Sequence, residues 1–362
     1  MTFIEESEVL RPDIDRTLQI GEVQLVNEER RLDSLGRPYF YREVVVGDES
    51  DDDPEKRKGR FRKLALAERQ LEEHPEWSPT VLLNGDLIID PRNEPAMELY
   101  YENGEPTQMV SWGTQMMQAV ALEPIQRLSR GGQFLPEGAS DPRTVERFTY
   151  EPDGIGIRSR QHIYANLLVE HARSGTTGDT LRVASLGSGA AVPNIEASER
   201  IENEVGKRIE WQLFDSDPRA LRYAQTFIGQ SNVVNSTFDY GPRTDEGFVG
   251  RRYAEAKYIP DDSLDAVDAL GLWEYLRPHT AASFLKMLYP KLKSGSPMIV
   301  SNMRASRPSP LYNSSSIGWP ALHMRDDEEL LGIVAKAGID TENVTFTHAQ
   351  DGVYVVMEIR KP

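Results

Sequence analysis

The run Val183-Ala184-Ser185-Leu186-Gly187-Ser188-Gly189-Ala190-Ala191-Val192 decides the fold. Leu181 to Leu186 is an apolar stretch of strand length that ends on glycines, the residues that let a backbone turn sharply and approach a ligand with no Cβ between them. A helix is expected from Pro193, whose missing N–H costs nothing in a first turn, to Gly206, which suits the left-handed position past a helix end. Strand, glycine turn and helix in this order open a doubly wound α/β unit.

Working outward, Ile209 to Phe214 reads as a second strand, followed by Asp215-Ser216-Asp217-Pro218. Asp217 caps the next helix, with Pro218 in its first turn, Leu221, Ala224 and Ile228 on one face and Gly229 after its end. Val233 to Phe238, Leu264 to Leu270 and Met298 to Ser301 supply further strands, with helices around Ala281 to Leu292 and Asp327 to Ala337. Val344 to Thr347 and Val353 to Ile359 are separated by a few residues containing Asp351-Gly352. So short a link cannot make a parallel crossover, so these two strands must run antiparallel.

Residues 1–145 have another texture, that of a β-rich α+β domain. Val81-Leu82-Leu83 and Leu87-Ile88-Ile89 flank Asn84-Gly85, a pair that suits a two-residue type I′ turn, and a second hairpin is expected from Met97 to Trp112 around Asn103-Gly104. Gly47 to Glu55 is too charged to bury anything and reads as a flexible loop; the basic cluster from Lys56 to Lys63 leads into a helix ending near His74. Gly131 to Pro142 makes a linker. The chain therefore divides into a cap, substrate or oligomerisation domain at 1–145 and an α/β domain at 146–362.

A formal net charge of −17 over 362 residues repels polyanions and excludes nucleic acid as the expected substrate. With no cysteine there are no disulfides, thiolate metal sites or cysteine nucleophiles. Neither a signal-peptide pattern at Met1 to Ile20 nor an apolar run of membrane-spanning length is found, so a cytoplasmic protein without membrane partners is expected, acting on a small molecule; a homodimer is compatible with the sequence. No metal is expected, because no histidine pair has helical ligand spacing and no acid cluster has a calcium-loop pattern.

The glycine turn alone serves two cofactors. A dinucleotide fingerprint needs a small third residue three positions after its second glycine, and Val192 stands there, which weighs against a nicotinamide. An acid at the carboxyl edge of the second strand, here Asp215, accepts hydrogen bonds from both ribose hydroxyls of an adenosine ligand.

Val183 to Ala191, Phe214 to Pro218, Asp265-Ala266-Val267-Asp268-Ala269-Leu270 and Leu292-Lys293-Ser294-Gly295 resemble the class I S-adenosylmethionine-dependent methyltransferase family over roughly Tyr150 to Pro362. The resemblance implies a Rossmann-like, seven-stranded sheet whose last strand is antiparallel. It implies S-adenosylmethionine as cofactor and S-adenosylhomocysteine as product. Gly187 and Gly189 would face the methionyl part, Asp215 the ribose, Asp239 the adenine amino group, and Leu270 and Gly271 the floor; Ser188 and Ser216 belong to the same cofactor-binding motifs. Arg158 and Arg160, on the helix before the first strand, are placed to grip a carboxylate of cofactor or substrate. One departure stands out: the family usually has an acid where this chain has Ser185. Gly271-Leu272-Trp273-Glu274-Tyr275-Leu276, Trp319, Arg325 to Leu330 and Asp153 to Arg160 are similar to a bacterial group related to enzymes that make fatty acid methyl esters.

Methyl transfer from a sulfonium is an in-line displacement in which alignment alone can supply about 7 kcal/mol or more. Glu274 and His323 are the candidate catalytic groups for an oxygen or nitrogen acceptor, with Trp273, Tyr275 and Trp319 as candidate substrate contacts. An NAD(P)-dependent oxidoreductase and a non-catalytic S-adenosylmethionine-binding regulator are the competing readings.

Overall fold

The computed structural model describes residues 18–48, 150–174, 178–215, 258–308 and 322–362, with isolated positions elsewhere between 62 and 310. Two N-terminal strands, β1 (Val23–Leu32) and β2 (Pro38–Val46), precede two short hairpins, β3 (Thr80–Val81) with β4 (Leu87–Ile88) and β5 (Tyr101–Glu102) with β6 (Glu105–Pro106). The α/β part follows as α1 (Pro152–Arg173), β7 (Thr180–Leu186), α2 (Val192–Val205), β8 (Arg208–Phe214), β9 (Ala266–Ala269), α3 (Pro278–Leu288), β10 (Pro297–Met303), α4 (Asp327–Lys336), β11 (Val344–Ala349) and β12 (Tyr354–Arg360).

The described sheet has eight strands in the order β1-β2-β11-β12-β10-β9-β7-β8. β8, β7, β9 and β10 run parallel, and β12 is antiparallel to both of its neighbours, β10 and β11. The expected closing hairpin therefore forms, and the fold is a doubly wound α/β sheet with an antiparallel last strand. The strand expected at Val233 to Phe238 lies outside the described residues.

Alternation along the strands feeds two cores, because successive side chains leave opposite faces of a sheet. Met298 and Val300 of β10, with Val355, Met357 and Ile359 of β12, pack with Leu285 and Leu288 of α3 and Leu330, Leu331 and Val334 of α4. Ile299 and Val356, out of phase with them, pack with Val183, Trp211 and α1 residues such as Ile163 and Leu168. α4 begins with a full capping box, the Asp326 carboxylate accepting from Glu329 N–H while the Glu329 side chain accepts from Asp326 N–H.

The N-terminal strands depart from the expected division at residue 145. β2 pairs in parallel with β11, so residues 23–46 extend the C-terminal sheet. β2 buries Tyr39 and Tyr41 in one core and Val44 and Val46 in the other, whereas β1 is exposed along almost its whole length and carries Glu28, Glu29, Arg30 and Arg31, charges that blunt an open edge. Asp48 also departs from expectation. Its side chain is 1 % exposed and forms a bidentate pair with Arg158 of α1, at 2.7 Å on both nitrogens, so this end of the charged loop is tied down.

The pairs Tyr101↔Pro106 and Glu102↔Glu105 fall within the hairpin expected from Met97 to Trp112, and Asn103 and Gly104 themselves lie outside the described residues. The other hairpin pairs Thr80 with Ile88 and Val81 with Leu87; the Asn84-Gly85 pair expected at its turn lies outside the described residues. Residues 62, 64–66, 68, 69, 72 and 73 are helical, up to His74. The linker expected at Gly131 to Pro142 lies outside the described residues.

Candidate functional site

The glycine turn is built as its sequence requires. Gly187 and Gly189 have φ of 66° and 56°, and Ala191 follows at 59°, a left-handed conformation that a residue with Cβ adopts only under constraint. Ala191 is the N-cap of α2, with Val192 and Pro193 in the first turn. Gly206 closes the same helix at φ 74°, the expected left-handed cap.

β7 and β8 hold the turn against Asp215. Phe214 O accepts from the N–H groups of Gly187 (2.7 Å) and Ser188 (3.2 Å), and the Asp215 carboxylate accepts from Gly189 N–H at 2.7 Å. Acid and glycine turn thus form one cradle at the carboxyl edge of two adjacent parallel strands, where open α/β sheets bind ligands. The Ser188 hydroxyl is buried there with no hydrogen-bond partner among the described residues.

Beneath the turn, the position that departs from the family pattern acquires a carboxylate from the next strand. Ser185 of β7 and Asp268 of β9 are register partners, and the Ser185 hydroxyl donates to Asp268 Oδ1 at 2.7 Å. Tyr164 of α1 donates to Asp268 Oδ2 at 2.6 Å, and Asn194 of α2 donates at 3.3 Å. Burial pushes the Asp268 carboxyl up to about 7, against the opposing pull of the bonds from Tyr164, Ser185 and Asn194. Sequence reading used Asp268 only as part of a strand motif. Its signal was an acid flanked by Ala266, Val267, Ala269 and Leu270 in a fully buried strand.

A second polar cluster lies past β9. Glu274, in the 3-10 turn Trp273–Tyr275, is 1 % exposed, and burial raises its carboxyl above the usual range despite the nearby Arg160 guanidinium. Arg160 Nη1 stands 3.5 Å from Glu274 Oε1, and the guanidinium lies over the Tyr354 ring at 4.3 Å. Arg325 fixes the turn by donating to the Trp273 and Leu276 carbonyls and to Asn302 Oδ1.

The remaining sequence-predicted residues divide clearly. Arg158 is engaged by Asp48, whereas Arg160, two residues on, reaches the loop after β9: a Cβ on Gly271 would sit 3.4 Å from its Nη2. Trp273 is 2 % exposed and packed in the core on the α3–α4 face. Tyr275 is half-buried, and Leu270 is buried. His323 N–H donates to the Glu274 carbonyl at 2.7 Å, bringing the two backbones together, and burial, then Arg325 and Arg277, hold its imidazole below the ordinary range. Ser216, Asp239 and Trp319 lie outside the described residues. No group of three or more metal-ligating side chains occurs among the described residues, and no described helix is long and apolar enough to cross a membrane.

No family model and no curated protein matches the chain. Among solved structures, a possible exported protein from Bordetella parapertussis is similar over 86 % of this chain and 99 % of its own, at 15 % identity and TM-score 0.54, which shows a shared fold. The methyltransferase domain of the citrinin polyketide synthase covers 85 % of this chain and 80 % of its own, at 14 % identity and TM-score 0.48. Magnesium protoporphyrin IX methyltransferase from Synechocystis PCC 6803, with bound S-adenosylmethionine, covers 58 % and 83 %, at 12 % identity and TM-score 0.40.

Proposed function

We propose that this protein is an S-adenosylmethionine-dependent methyltransferase acting on an oxygen or nitrogen of a small-molecule acceptor and releasing S-adenosylhomocysteine. The observation that carries the reading is the bond from Gly189 N–H to the Asp215 carboxylate, which joins glycine turn and strand-end acid into one cradle. That cradle fits an adenosyl ligand. It offers a backbone free of Cβ at Gly187 and Gly189, a carboxylate for the ribose hydroxyls, and the unpartnered Ser188 hydroxyl.

When bound, the cofactor supplies a methyl group made electrophilic by a sulfonium. The protein's part is to hold the acceptor in line with it, exclude water and take up a proton where the acceptor carries one. Glu274 suits that last role, since a carboxyl raised by burial is more basic than an exposed one. The net charge of −17 supports a small acceptor over nucleic acid, and the absence of cysteine fits a cytoplasmic setting.

A screen of small acids, amines and phenols with methyl-labelled S-adenosylmethionine tests the reading. Labelled product with stoichiometric S-adenosylhomocysteine is expected; binding without turnover across the screen would replace the enzyme with a non-catalytic regulator.

A further inference from the structure

We propose that Arg160, Glu274 and Tyr354 form a subsite for a hydroxyl group, so that the methyl acceptor is an alcohol or a phenol; this rests on the methyltransferase reading above. Three elements converge here: α1 through Arg160, the turn after β9 through Glu274, and the start of β12 through Tyr354. Their side chains are deeply buried, with residue exposures of 5 %, 1 % and 3 %.

Each nevertheless leaves a polar atom unsatisfied: Arg160 Nε, Glu274 Oε2 and the Tyr354 hydroxyl have no hydrogen-bond partner among the described residues. A buried ion pair normally closes around itself with short, multiple bonds, because unpaired polar atoms away from water are costly. This pair meets at one 3.5 Å contact and keeps a free donor and a free acceptor. The contact of Arg160 with Gly271 places the cluster at the same sheet edge as the glycine turn, since β9 and β7 are neighbours.

Charge selects the ligand. A cationic amine would meet the Arg160 guanidinium, and an anionic carboxylate would meet Glu274. A neutral hydroxyl satisfies both, its oxygen accepting from the Arg160 guanidinium while its proton is donated to Glu274 Oε2. In the reaction that proton passes to Glu274, the oxygen lone pair forms the bond to the methyl carbon, and the carbon–sulfur bond breaks with its electrons left on sulfur, turning the sulfonium into a neutral thioether. Tyr354, whose ring lies under the Arg160 guanidinium, adds a third unsatisfied polar atom to the cluster.

Ligand-observed NMR with two matched series, phenol, benzoate and benzylamine, then hexanol, hexanoate and hexylamine, tests this with and without S-adenosylhomocysteine. The hydroxyl member of at least one series should bind, with the acid and the amine weaker by about tenfold or more, and Glu274→Leu should lower hydroxyl affinity by about tenfold. The double variant Arg160→Met/Glu274→Leu should raise the melting temperature of the free protein, because the unsatisfied pair is held for a ligand. Preference for acid or amine, binding of none of the six probes, or a lowered melting temperature in the double variant would overturn the proposal. Failure to bind S-adenosylhomocysteine would instead sink the methyltransferase reading, and the probe series without it would still report on the subsite.

Discussion

Ser185 and Asp268 stand side by side in adjacent parallel strands, and their side chains meet at 2.7 Å beneath the glycine turn. At the β7 position where the resemblance leads one to expect an acid stands Ser185, and the carboxylate beside it is that of Asp268 on β9. Its three donors, Tyr164, Ser185 and Asn194, come from α1, β7 and α2, so one buried acid pins the sheet to two helices.

This acid makes stability fall with rising pH. The Asp268 carboxyl titrates at about 7 in the folded protein, against 3.8 as its ordinary value, so the native state holds the proton more tightly than the unfolded chain. The contribution is full below the unfolded value and is lost as pH climbs toward the folded one, with a slope of at most about 1.4 kcal/mol per pH unit. In denaturant unfolding, the stability of wild type minus that of Asp268→Asn should decline between pH 5 and about 7; a flat difference would contradict the assignment.

α1 approaches the start of β12 so closely at Gly156 that a Cβ there would lie 2.5 Å from Val353 Cβ. Gly156→Ala gains up to about 1 kcal/mol of helix propensity but incurs an overpacking cost of about 1–3 kcal/mol. A net loss of about 1 kcal/mol is expected. Trimming Val353 to Ala should cost less in that background than in wild type, which a double-mutant cycle would measure.

Arg307 and Asp153 form a pair with exposures of 2 % and 0 %, both carboxylate oxygens lying 2.5 Å from Arg307 Nη1. Burial still holds the Asp153 carboxyl above its ordinary range. Arg307→Met strands that acid and should cost about 3–5 kcal/mol in urea unfolding, whereas Asp153→Leu/Arg307→Met should recover most of the loss.

The legible parts of the sequence were those whose signals are local. The two glycines, Pro193, Gly206 and the short link around Asp351-Gly352 each constrain the backbone within a few residues, and β7, α2, β8 and the closing hairpin follow from them. The missed parts depend on distant partners. β2 finds its place only by pairing with β11, as Tyr41 does with Phe346, and β1 is a charged edge strand with little apolar pattern to read. The Asp48 side chain is buried against Arg158, distant in sequence, which neutralises it. Of the residues proposed for the site, the turn, Asp215 and Glu274 stand out in the sequence; the Asp268 network and Tyr354 emerge only when strands and helices are assembled.

The central claim, that the Gly187–Asp215 cradle takes an adenosyl sulfonium, is tested most directly by calorimetric titration of the wild type with S-adenosylmethionine and with NADH, repeated on Asp215→Ala. Saturable binding of S-adenosylmethionine alone is expected, weakened by about 1–3 kcal/mol in the variant through loss of charge-assisted hydrogen bonds. Binding of NADH without S-adenosylmethionine, or an affinity for S-adenosylmethionine unchanged by the substitution, would contradict it.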